Sequence, residues 1–321
     1  MKVRVSVLIP CYNAENYIID TLQSLLNQTY KNFEIIVIDD GSEDNSIERV
    51  ESMILKDKRI QLYKNNYNRG VAFTRNRAFE LCSTEYIAYM DADDTAPPDR
   101  LELQVNYLDS HLTVDGVGGT CNFINEKGEF IQKVTMTAQS SEMIKATLLF
   151  RNCIANGSVM FRKRVIDEEK IRYDEKKKDL EDYDFWVKFV KNHDFVNLPN
   201  VLQNYRVSPS SLSRSCASRE RDLRNQRFDD IHRYILKERG YFLPAKEEEV
   251  YLHATRENGH ISGLIEYLLL RRALWRINKV TSQKYPKLKK EVSFRSKELY
   301  REQRYKMLYL YYSKLRDKRN I

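Results

Sequence analysis

The chain has 321 residues, of which 42% are apolar and 31% charged, and its formal net charge is +8. This apolar fraction excludes a fully disordered chain, and the length allows one large domain or one domain with an appendage. The positive charge is uneven, because residues 271–321 hold 17 Lys/Arg against 4 Asp/Glu while the remainder is mildly acidic. Such a basic end indicates either an anionic partner surface or a solvated helical face.

The first 110 residues alternate between strand-like and helix-like segments. Apolar, β-rich runs predict strands at 3–9, 33–39, 59–65 and 86–90. Helical spacing of apolar residues predicts helices at 14–28, 42–55 and 70–82. Because the strands are apolar almost throughout, we expect an α/β fold with a Rossmann-like, mostly parallel sheet and helices on both faces.

The rest of the chain is mixed and then helical. Further strands are predicted at 116–124, 128–134, 158–161 and 201–207, and helices at 140–150 and 181–192. From about residue 218 the pattern is helical and rich in Arg, Lys and aromatic side chains. We therefore divide the chain into residues 1–215, with halves 1–110 and 111–215, and a basic helical extension of residues 216–321.

Polar side chains follow three of the predicted strands, at the point where each strand ends. The three clusters are Pro10-Cys11-Tyr12-Asn13, Asp39-Asp40-Gly41-Ser42 and Asp91-Ala92-Asp93-Asp94. Ligands of open α/β sheets bind beyond the carboxyl ends of the strands, so we expect all three clusters at one rim. Carboxylates gathered at one rim destabilise the fold unless they bind a cation or hydrogen-bond donors. An Mg²⁺ or Mn²⁺ ion, held by these carboxylates and by the phosphates of a ligand, would provide that cation. The alternatives are that a lone Asp-x-Asp is a surface turn and that Ser42 only caps a helix.

Five segments in this order resemble the family 2 glycosyltransferases, which are inverting nucleotide-sugar enzymes of GT-A fold. The segments are VSVLIPCYNAENYI, SLLNQTYKNFEIIVIDDGSEDNS, NRGVAFTRNRAF, YIAYMDADDTAPPDRL and LEDYDFW, and the resemblance covers roughly residues 3–210. Each motif is weak alone, whereas all five in order are highly specific. The resemblance implies a GT-A catalytic domain at 1–215, with a nucleotide-binding half and an acceptor half, of the type that assembles bacterial cell-surface polysaccharide.

The resemblance also implies roles for individual residues. The residues that it places at the nucleotide-sugar are Pro10, Tyr12, Asp39, Asp40, Arg75, Asp91, Asp93 and Asp94. Tyr12 would stack on or flank the base, and Asp40, with Asp39 as neighbour, would hydrogen-bond it, uracil being the usual base. Asp93 would bind the Mn²⁺ or Mg²⁺ cofactor together with Asp91, which would face the ribose or sugar. Asp94 would contact the donor sugar, and Asp182 would be the general base.

A single carboxylate at Asp182 suits inverting transfer. One base deprotonates the acceptor hydroxyl as it attacks the anomeric carbon, and a metal neutralises the leaving diphosphate. No second catalytic carboxylate is needed, in contrast to a glycosidase. The alternative is that Glu181 and Asp182 only cap the helix that begins there, and a helix N-terminus would also hold Asp182 ionised.

The chain departs from the family pattern after its last strand. A histidine that often follows Tyr-Arg near the end of this domain is absent, and Ser208 stands in its place in NYRVSPSSLSR. Arg206 or Arg214 could contact the diphosphate instead, and a purely structural Arg206 is an equal alternative. The Q-x-x-R-W motif and membrane helices of processive synthases are also missing, which favours the addition of single sugars.

The basic C-terminal region has several interpretations. RRALWRINKV (271–280) and YREQRYKMLYLYYSKLRDKR (300–319) mix cationic, aromatic and aliphatic residues, as helices on anionic membrane surfaces do. The same helices could pack on the catalytic domain or form a homodimer, and the donor-site motifs argue against nucleic acid as a partner. The cysteines are scattered without a C-x-x-C motif, and the sequence starts without a signal peptide, which together predict a cytoplasmic protein. If the basic helices bind a membrane surface, the protein would be peripheral on the inner face of the cell membrane.

We therefore expect a metal-dependent inverting glycosyltransferase that moves one sugar from a UDP-sugar to a hydroxyl of a glycan or lipid-linked oligosaccharide. One alternative is a catalytically silent member that binds the nucleotide-sugar as a sensor or assembly partner, although an intact Asp182 argues against it. The other is a nucleotidyltransferase, which needs a Gly-rich, basic phosphate loop after the first strand. The stretch PCYNAENY has neither feature.

Overall fold

A computed structural model of the protein describes residues 2–207 and 221–319, and these residues form two compact units. The first, called here the sheet unit, comprises residues 2–141 and 154–207. The second, the helical unit, comprises residues 142–153 and 221–319. The expectations for Ser208, Arg214 and the start of the basic extension at residue 216 lie outside the described residues.

A sheet that is eight-stranded in the described residues organises the sheet unit. Its strands are β1 (Val5–Cys11), β2 (Phe33–Asp39), β3 (Ile60–Lys64), β4 (Tyr86–Tyr89), β5 (Val114–Ile124), β6 (Phe130–Val134), β7 (Met160–Arg162) and β8 (Asp194–Arg206). The spatial order is β3-β2-β1-β4-β7-β5-β6, and β8 pairs with β5. The strands β1 to β4 pair in parallel, as do β5 and β8, whereas β7 and β6 run antiparallel to their neighbours.

Helices occupy most of the connections and most of the C-terminal region that the structure describes. They are α1 (Ile18–Leu26), α2 (Ser46–Lys56), α3 (Val71–Leu81), α4 (Arg100–Ser110), α5 (Ser141–Thr147), α6 (Lys163–Glu169), α7 (Glu181–Phe189), α8 (Arg221–Glu238), α9 (Ala245–Thr255), α10 (Leu264–Lys284) and α11 (Lys289–Arg319). The predicted α/β fold with a helical C-terminal extension is confirmed.

Both faces of the parallel strands are covered, as their continuous apolar sequences predict. On one face, Val7 and Ile35 belong to a core that α1, α2 and α4 complete. On the other face, the ring of Tyr89 lies 6.2 Å from that of Phe79 in α3, and Phe79 stacks on Phe185 in α7. The sheet is therefore a buried middle layer, and its functional groups are left to the strand ends.

The first strand continues to Cys11, although Pro10 was expected to end it. The N–H of Asp40 donates to the carbonyl of Cys11, and the N–H of Met90 donates to the carbonyl of Leu8. Alternate residues of β1 thus face β2 and β4, and Pro10 faces β4. Because the pairing of β1 with β4 ends at Leu8, the missing N–H of proline interrupts no ladder bond.

The last strand begins at Asp194, seven residues before the predicted start. Its pairing with β5 shifts register between Leu198 and Val201, so that Pro199 and Asn200 have no partner in the ladder. A proline and an asparagine signal a turn in sequence, but here they form an irregularity within one strand.

The second helix begins at Ser46 rather than at Ser42. The carboxylate Oδ1 of Asp44 accepts the Ser46 N–H at 2.9 Å, and this contact stabilises the start of α2. Ser42 instead accepts the N–H of Asn13 at 3.0 Å, so the capping alternative for Ser42 is wrong.

The helical unit has its own core, to which Leu270, Ile277 and Val292 contribute. The buried Gln303 donates from its amide to the carbonyls of Ala254 and Gly259. Across residues 2–207 and 221–319, no helix combines the length and the apolar character that crossing a bilayer requires.

Candidate active site

The loops that follow β1, β2 and β4 meet at one rim of the sheet. The ends of β1 and β2 are level, because Cys11 pairs with Asp39. Asn13 accepts the N–H of Glu43 at 2.9 Å while its own N–H donates to the Ser42 hydroxyl, so the first two loops are joined directly. In the first of these loops, Tyr12 is 45% exposed and available to a planar ligand.

Asp39 and Asp40 are both buried but are bonded differently. The Oδ2 of Asp39 accepts the N–H groups of Gly41 and Ser42, both at 3.0 Å, whereas its buried Oδ1 has no hydrogen-bond partner. A tight turn permits this arrangement, since Gly41 has φ +75° and an added Cβ would lie 2.8 Å from the backbone of the loop ahead of α3. Asp39 therefore retains one accepting atom.

Asp40 is fully engaged within the chain. Its Oδ1 accepts from the side-chain amide of Asn65 at 2.6 Å and from the N–H of Arg69 at 3.0 Å. Its Oδ2 accepts the N–H of Gly70 at 2.8 Å. These bonds hold the loop that leads into α3, so Asp40 acts as a structural anchor there.

Arg75 joins two acidic segments that are distant in sequence. From its buried position in α3, one Nη donates to Asp91 at 3.2 Å and the other to Glu181 at 3.1 Å. The rings of Tyr89 and Tyr173 lie within 5.8 Å and 5.4 Å of the guanidinium carbon. Part of the positive charge at this rim therefore comes from the chain itself.

The three aspartates after β4 have three different environments. Asp91 is partly exposed and paired with Arg75. Asp93 is also partly exposed, and burial, followed by the charge of Asp91, raises its pKa to about 6. A bound cation would relieve that repulsion.

Asp94, expected at the donor sugar, is fully buried. Its Oδ1 accepts the backbone N–H of Arg206 at 2.8 Å, and its Oδ2 accepts from the side-chain amide of Gln203. Burial, followed by the charges of Asp93 and Asp91, raises the pKa of Asp94 well above its usual range. Its contacts are those of a group that holds β8 against the Asp-x-Asp loop.

Arg206 is likewise committed to the fold. Its side chain is almost fully buried, and it donates to the carbonyls of Asp93 at 2.7 Å and Glu126 at 2.8 Å. Of the two alternatives for Arg206, the structure therefore supports the structural one. The hairpin between β5 and β6 is tied to the Asp-x-Asp loop through this guanidinium.

Gln203 and Gly157 were not recognised from the sequence. An added Cβ at Gly157 would lie 2.2 Å from the amide nitrogen of Gln203 and 3.1 Å from Oδ2 of Asp91. The available signal was a set of polar residues, Gln203, Asn204 and Arg206, inside an otherwise strand-like run. Polar residues buried in a strand indicate a specific partner.

Asp182 lies in the first turn of α7, next to the ion pair of Arg75 with Glu181. Its Oδ1 accepts the Tyr183 N–H at 2.6 Å. Burial, followed by the charge of Glu181, raises the pKa of Asp182 to about 7. The helix N-terminus was expected to favour the ionised form of this carboxyl, but burial and the neighbouring acid raise its pKa by more than the helix dipole lowers it. Asp184 pairs elsewhere, with Lys188 at 2.5 Å.

The donor set fits a divalent cation that is shared with a ligand. No group of three or more His, Cys, Asp or Glu side chains suited to a metal occurs in the described part of the chain. Asp91 and Asp93 offer two carboxylates that repel each other, and Mg²⁺ or Mn²⁺ commonly takes one or two carboxylates together with ligand phosphates. The rim can thus bind an anionic ligand through a cation and present a weakly acidic carboxyl beside it.

Comparison with known proteins identifies relatives. The sequence model described as "Glycosyl transferase family 2" matches residues 6–169. An uncharacterized glycosyltransferase of Haemophilus influenzae is 35% identical over 216 residues, which cover 65% of this chain and 67% of that protein. The UDP-Glc:alpha-D-GlcNAc-diphosphoundecaprenol beta-1,3-glucosyltransferase WfgD of Escherichia coli is 31% identical over 217 residues, covering 65% and 79%.

Solved structures share the fold at low sequence identity. S. aureus TarS 1-349 in complex with UDP-GlcNAc has a TM-score of 0.61 and 18% identity, and the match covers 93% of this chain and 92% of that one. The mannosyltransferase PcManGT from Pyrobaculum calidifontis, in complex with GDP-Man and Mn2+, has a TM-score of 0.56 and 17% identity, covering 96% and 84%.

The pairing of Arg75 with Glu181 predicts a coupled effect on stability. Arg75→Met leaves the buried Glu181 carboxylate without its cation, and we expect the free energy of unfolding to fall by about 3 kcal/mol. In the double variant with Glu181→Gln the uncompensated charge is gone, so about 1 kcal/mol or more should be regained. Urea denaturation followed by circular dichroism measures both. Equal stability of the single and double variants would contradict the penalty for leaving the Glu181 carboxylate unpaired.

Proposed function

This chain belongs to glycosyl transferase family 2 and is a glycosyltransferase of GT-A fold, as its motifs predicted. On this premise we propose the specific reaction that it catalyses. It transfers one sugar from a UDP-sugar to a hydroxyl of a glycan or lipid-linked oligosaccharide, with inversion at the anomeric carbon and with a divalent cation. The observation that carries the proposal is the double ion pair of Arg75. It holds the Asp-x-Asp loop and the start of α7 around one guanidinium.

The nucleoside part of the donor is assigned to the loops after β1 and β2. The unpartnered Oδ1 of Asp39 accepts an N–H of the base, and Tyr12 covers the face of the base, with Pro10, the penultimate residue of β1, beside it. Asp40, whose carboxylate already accepts from Asn65, Arg69 and Gly70, positions the loop instead of bonding the base. UDP is preferred as the carrier because WfgD is named for UDP-Glc and TarS was solved with UDP-GlcNAc.

The diphosphate is assigned to the loop after β4. Asp93, with Asp91, would hold Mn²⁺ or Mg²⁺, and such an ion would supply positive charge next to the leaving diphosphate. Arg75 keeps Asp91 oriented and adds a second positive charge near the nucleotide. Asp94 has no direct role in this scheme, because its carboxylate is buried and bonded to β8.

Asp182 acts as the general base. It accepts the proton of the acceptor hydroxyl while that oxygen attacks the anomeric carbon from the side opposite the leaving diphosphate. Burial and Glu181 raise its pKa to about 7, which gives the carboxylate a higher proton affinity than a solvated aspartate has. One base suffices, since the diphosphate leaves without protonation by a second acid.

The acceptor is assigned from the names of the relatives. WfgD is named for a diphosphoundecaprenol-linked acceptor, and WbnJ of Escherichia coli, 32% identical over 216 residues, for O-antigen biosynthesis. On the same grounds we assign a hydroxyl of a lipid-linked oligosaccharide as the acceptor of this enzyme. We also assign the enzyme a role in the assembly of cell-surface polysaccharide.

The base assignment predicts both a loss of rate and a pH dependence. Asp182→Asn should lower kcat by about 100-fold or more, because the acceptor proton has no base. In the wild type, kcat/KM should fall about tenfold per pH unit below about 7, where Asp182 is protonated, and should level off above it. Release of UDP in the presence of a lipid-linked acceptor measures both. Undiminished transfer by Asp182→Asn contradicts the assignment.

A second pair of variants tests the cause of the raised pKa in the same assay. Glu181→Gln removes the like charge and should move the acid limb of the pH profile to lower pH. Asp184→Asn is the matched control, since Asp184 pairs with Lys188, and it should leave the limb in place. An unchanged limb in Glu181→Gln would assign the titration to another group.

The two adjacent aspartates after β2 are predicted to behave differently. Asp39→Asn can keep the bonds from Gly41 and Ser42 but then presents an amide to the base N–H, so the Kd for UDP should rise about 10- to 100-fold. Asp40→Asn should mainly lower the melting temperature, because it loses a bond to the loop before α3. Calorimetric titration with UDP and thermal melts separate the two. Normal UDP affinity in a folded Asp39→Asn protein contradicts the base contact.

Metal dependence gives a further prediction. In a thermal-shift assay, UDP should raise the melting temperature of the protein more when Mn²⁺ is present than when it is absent. In Asp93→Asn this additional rise should be lost, while the rise caused by UDP without metal should remain. Asp99→Asn is the control, because Asp99 is exposed ahead of α4 and its side chain caps nothing. If Asp93→Asn retains the full Mn²⁺ increment, Asp93 is not a ligand.

A further inference from the structure

Helix α10 has an apolar side chain stripe that no part of the described chain covers. Leu264, Leu268 and Trp275 are 65%, 46% and 59% exposed, and they recur at spacings of four and seven residues. Such spacing places them on one side of a helix. The opposite side carries the buried Leu270, Ala273, Leu274, Ile277 and Thr281. The helix is therefore anchored by one face and presents three large apolar side chains on the other.

Cations border this stripe. Arg271, Arg272 and Lys279 are exposed, and helical spacing places them on the same side as Trp275. Lys279 lies with its Nζ 5.3 Å from the centre of the Trp275 ring. Within the described residues none of the three has a carboxylate partner, and Glu266 is the only acid of α10. The exposed face thus combines tryptophan and leucine with unneutralised positive charge.

We propose that the face formed by Leu264, Leu268, Arg271, Arg272, Trp275 and Lys279 docks on an anionic phospholipid surface. The leucines and the tryptophan enter the boundary between headgroups and acyl chains, and the three cations lie at the level of the lipid phosphates. This inference does not depend on the transfer reaction, and it gives the basic C-terminal region a defined contact surface.

Charge decides against two other occupants. A second copy of the same face in a two-fold interface would bring Arg271 and Arg272 close to their own counterparts, which is repulsive. Nucleic acid would satisfy the cations but would leave Leu264 and Leu268 against phosphate and sugar. A lipid surface satisfies both the apolar and the cationic groups.

The full-length protein is tested by co-sedimentation with vesicles. Binding to phosphatidylcholine vesicles that contain phosphatidylglycerol should be strong and should weaken with salt, and vesicles of phosphatidylcholine alone should bind poorly. Arg271→Glu/Arg272→Glu should lower the affinity about 30-fold or more. Lys56→Glu/Lys58→Glu makes the same change in net charge at exposed residues of the sheet unit, and should have a much smaller effect.

Fluorescence reports whether the apolar stripe itself is inserted. The chain has two tryptophans, Trp186 in the core and Trp275 on the proposed face. Anionic vesicles should shift the emission to the blue and protect it from acrylamide, and Trp275→Phe should lose both changes.

Three outcomes overturn the proposal. In the first, both charge-reversal pairs lose vesicle binding equally. In the second, acrylamide still quenches Trp275 when the protein is bound to vesicles. In the third, the Arg271→Glu/Arg272→Glu protein binds vesicles normally but no longer binds DNA or RNA.

Discussion

The guanidinium of Arg75 is the interaction on which the site depends. It is buried, and it bonds to Asp91 at the end of β4 and to Glu181 at the start of α7. A buried cation is stable only while both partners stay in place, so the Asp-x-Asp loop and the helix that carries Asp182 are held together. The fold supplies the conditions for this, since parallel strands end at one rim and α3 and α7 pack on one face of the sheet.

Several acidic side chains lie close together at this rim, and their repulsion favours the binding of a cation at Asp93 and of a proton at Asp182. Asp93 and Asp182 both have a raised pKa, first because each carboxyl is partly withdrawn from water and then because another acid is adjacent. Asp93 lies beside Asp91 at a strand end, where a divalent cation shared with a diphosphate offsets the repulsion. Asp182 lies beside Glu181, whose own charge is balanced by Arg75. A proton taken from an acceptor hydroxyl relieves the repulsion between the Asp182 and Glu181 carboxylates. One electrostatic arrangement thus serves both metal binding and proton transfer in our proposal.

Local patterns in the sequence located the sheet and its rim, whereas long-range contacts determine what each side chain there can do. The strand Phe33–Asp39 is predicted residue by residue, because a continuous apolar run bounded by polar residues identifies a buried strand. The difference between Asp39 and Asp40 could not be predicted, since it arises from amide groups of the loop before α3. The burial of Asp94 depends in the same way on Gln203, which reaches it from β8 after an irregularity that reads as a turn in sequence.

The central claim is that this rim binds a metal nucleotide-sugar with Asp182 at the reacting centre. A crystal structure of the protein with UDP and Mn²⁺, with the metal located by its anomalous scattering, tests the claim most directly. The account predicts an anomalous peak in contact with Asp93, the base against the free oxygen of Asp39, and Asp182 facing the position of the transferred sugar. Manganese or UDP bound away from Asp39, Asp91 and Asp93 would contradict it.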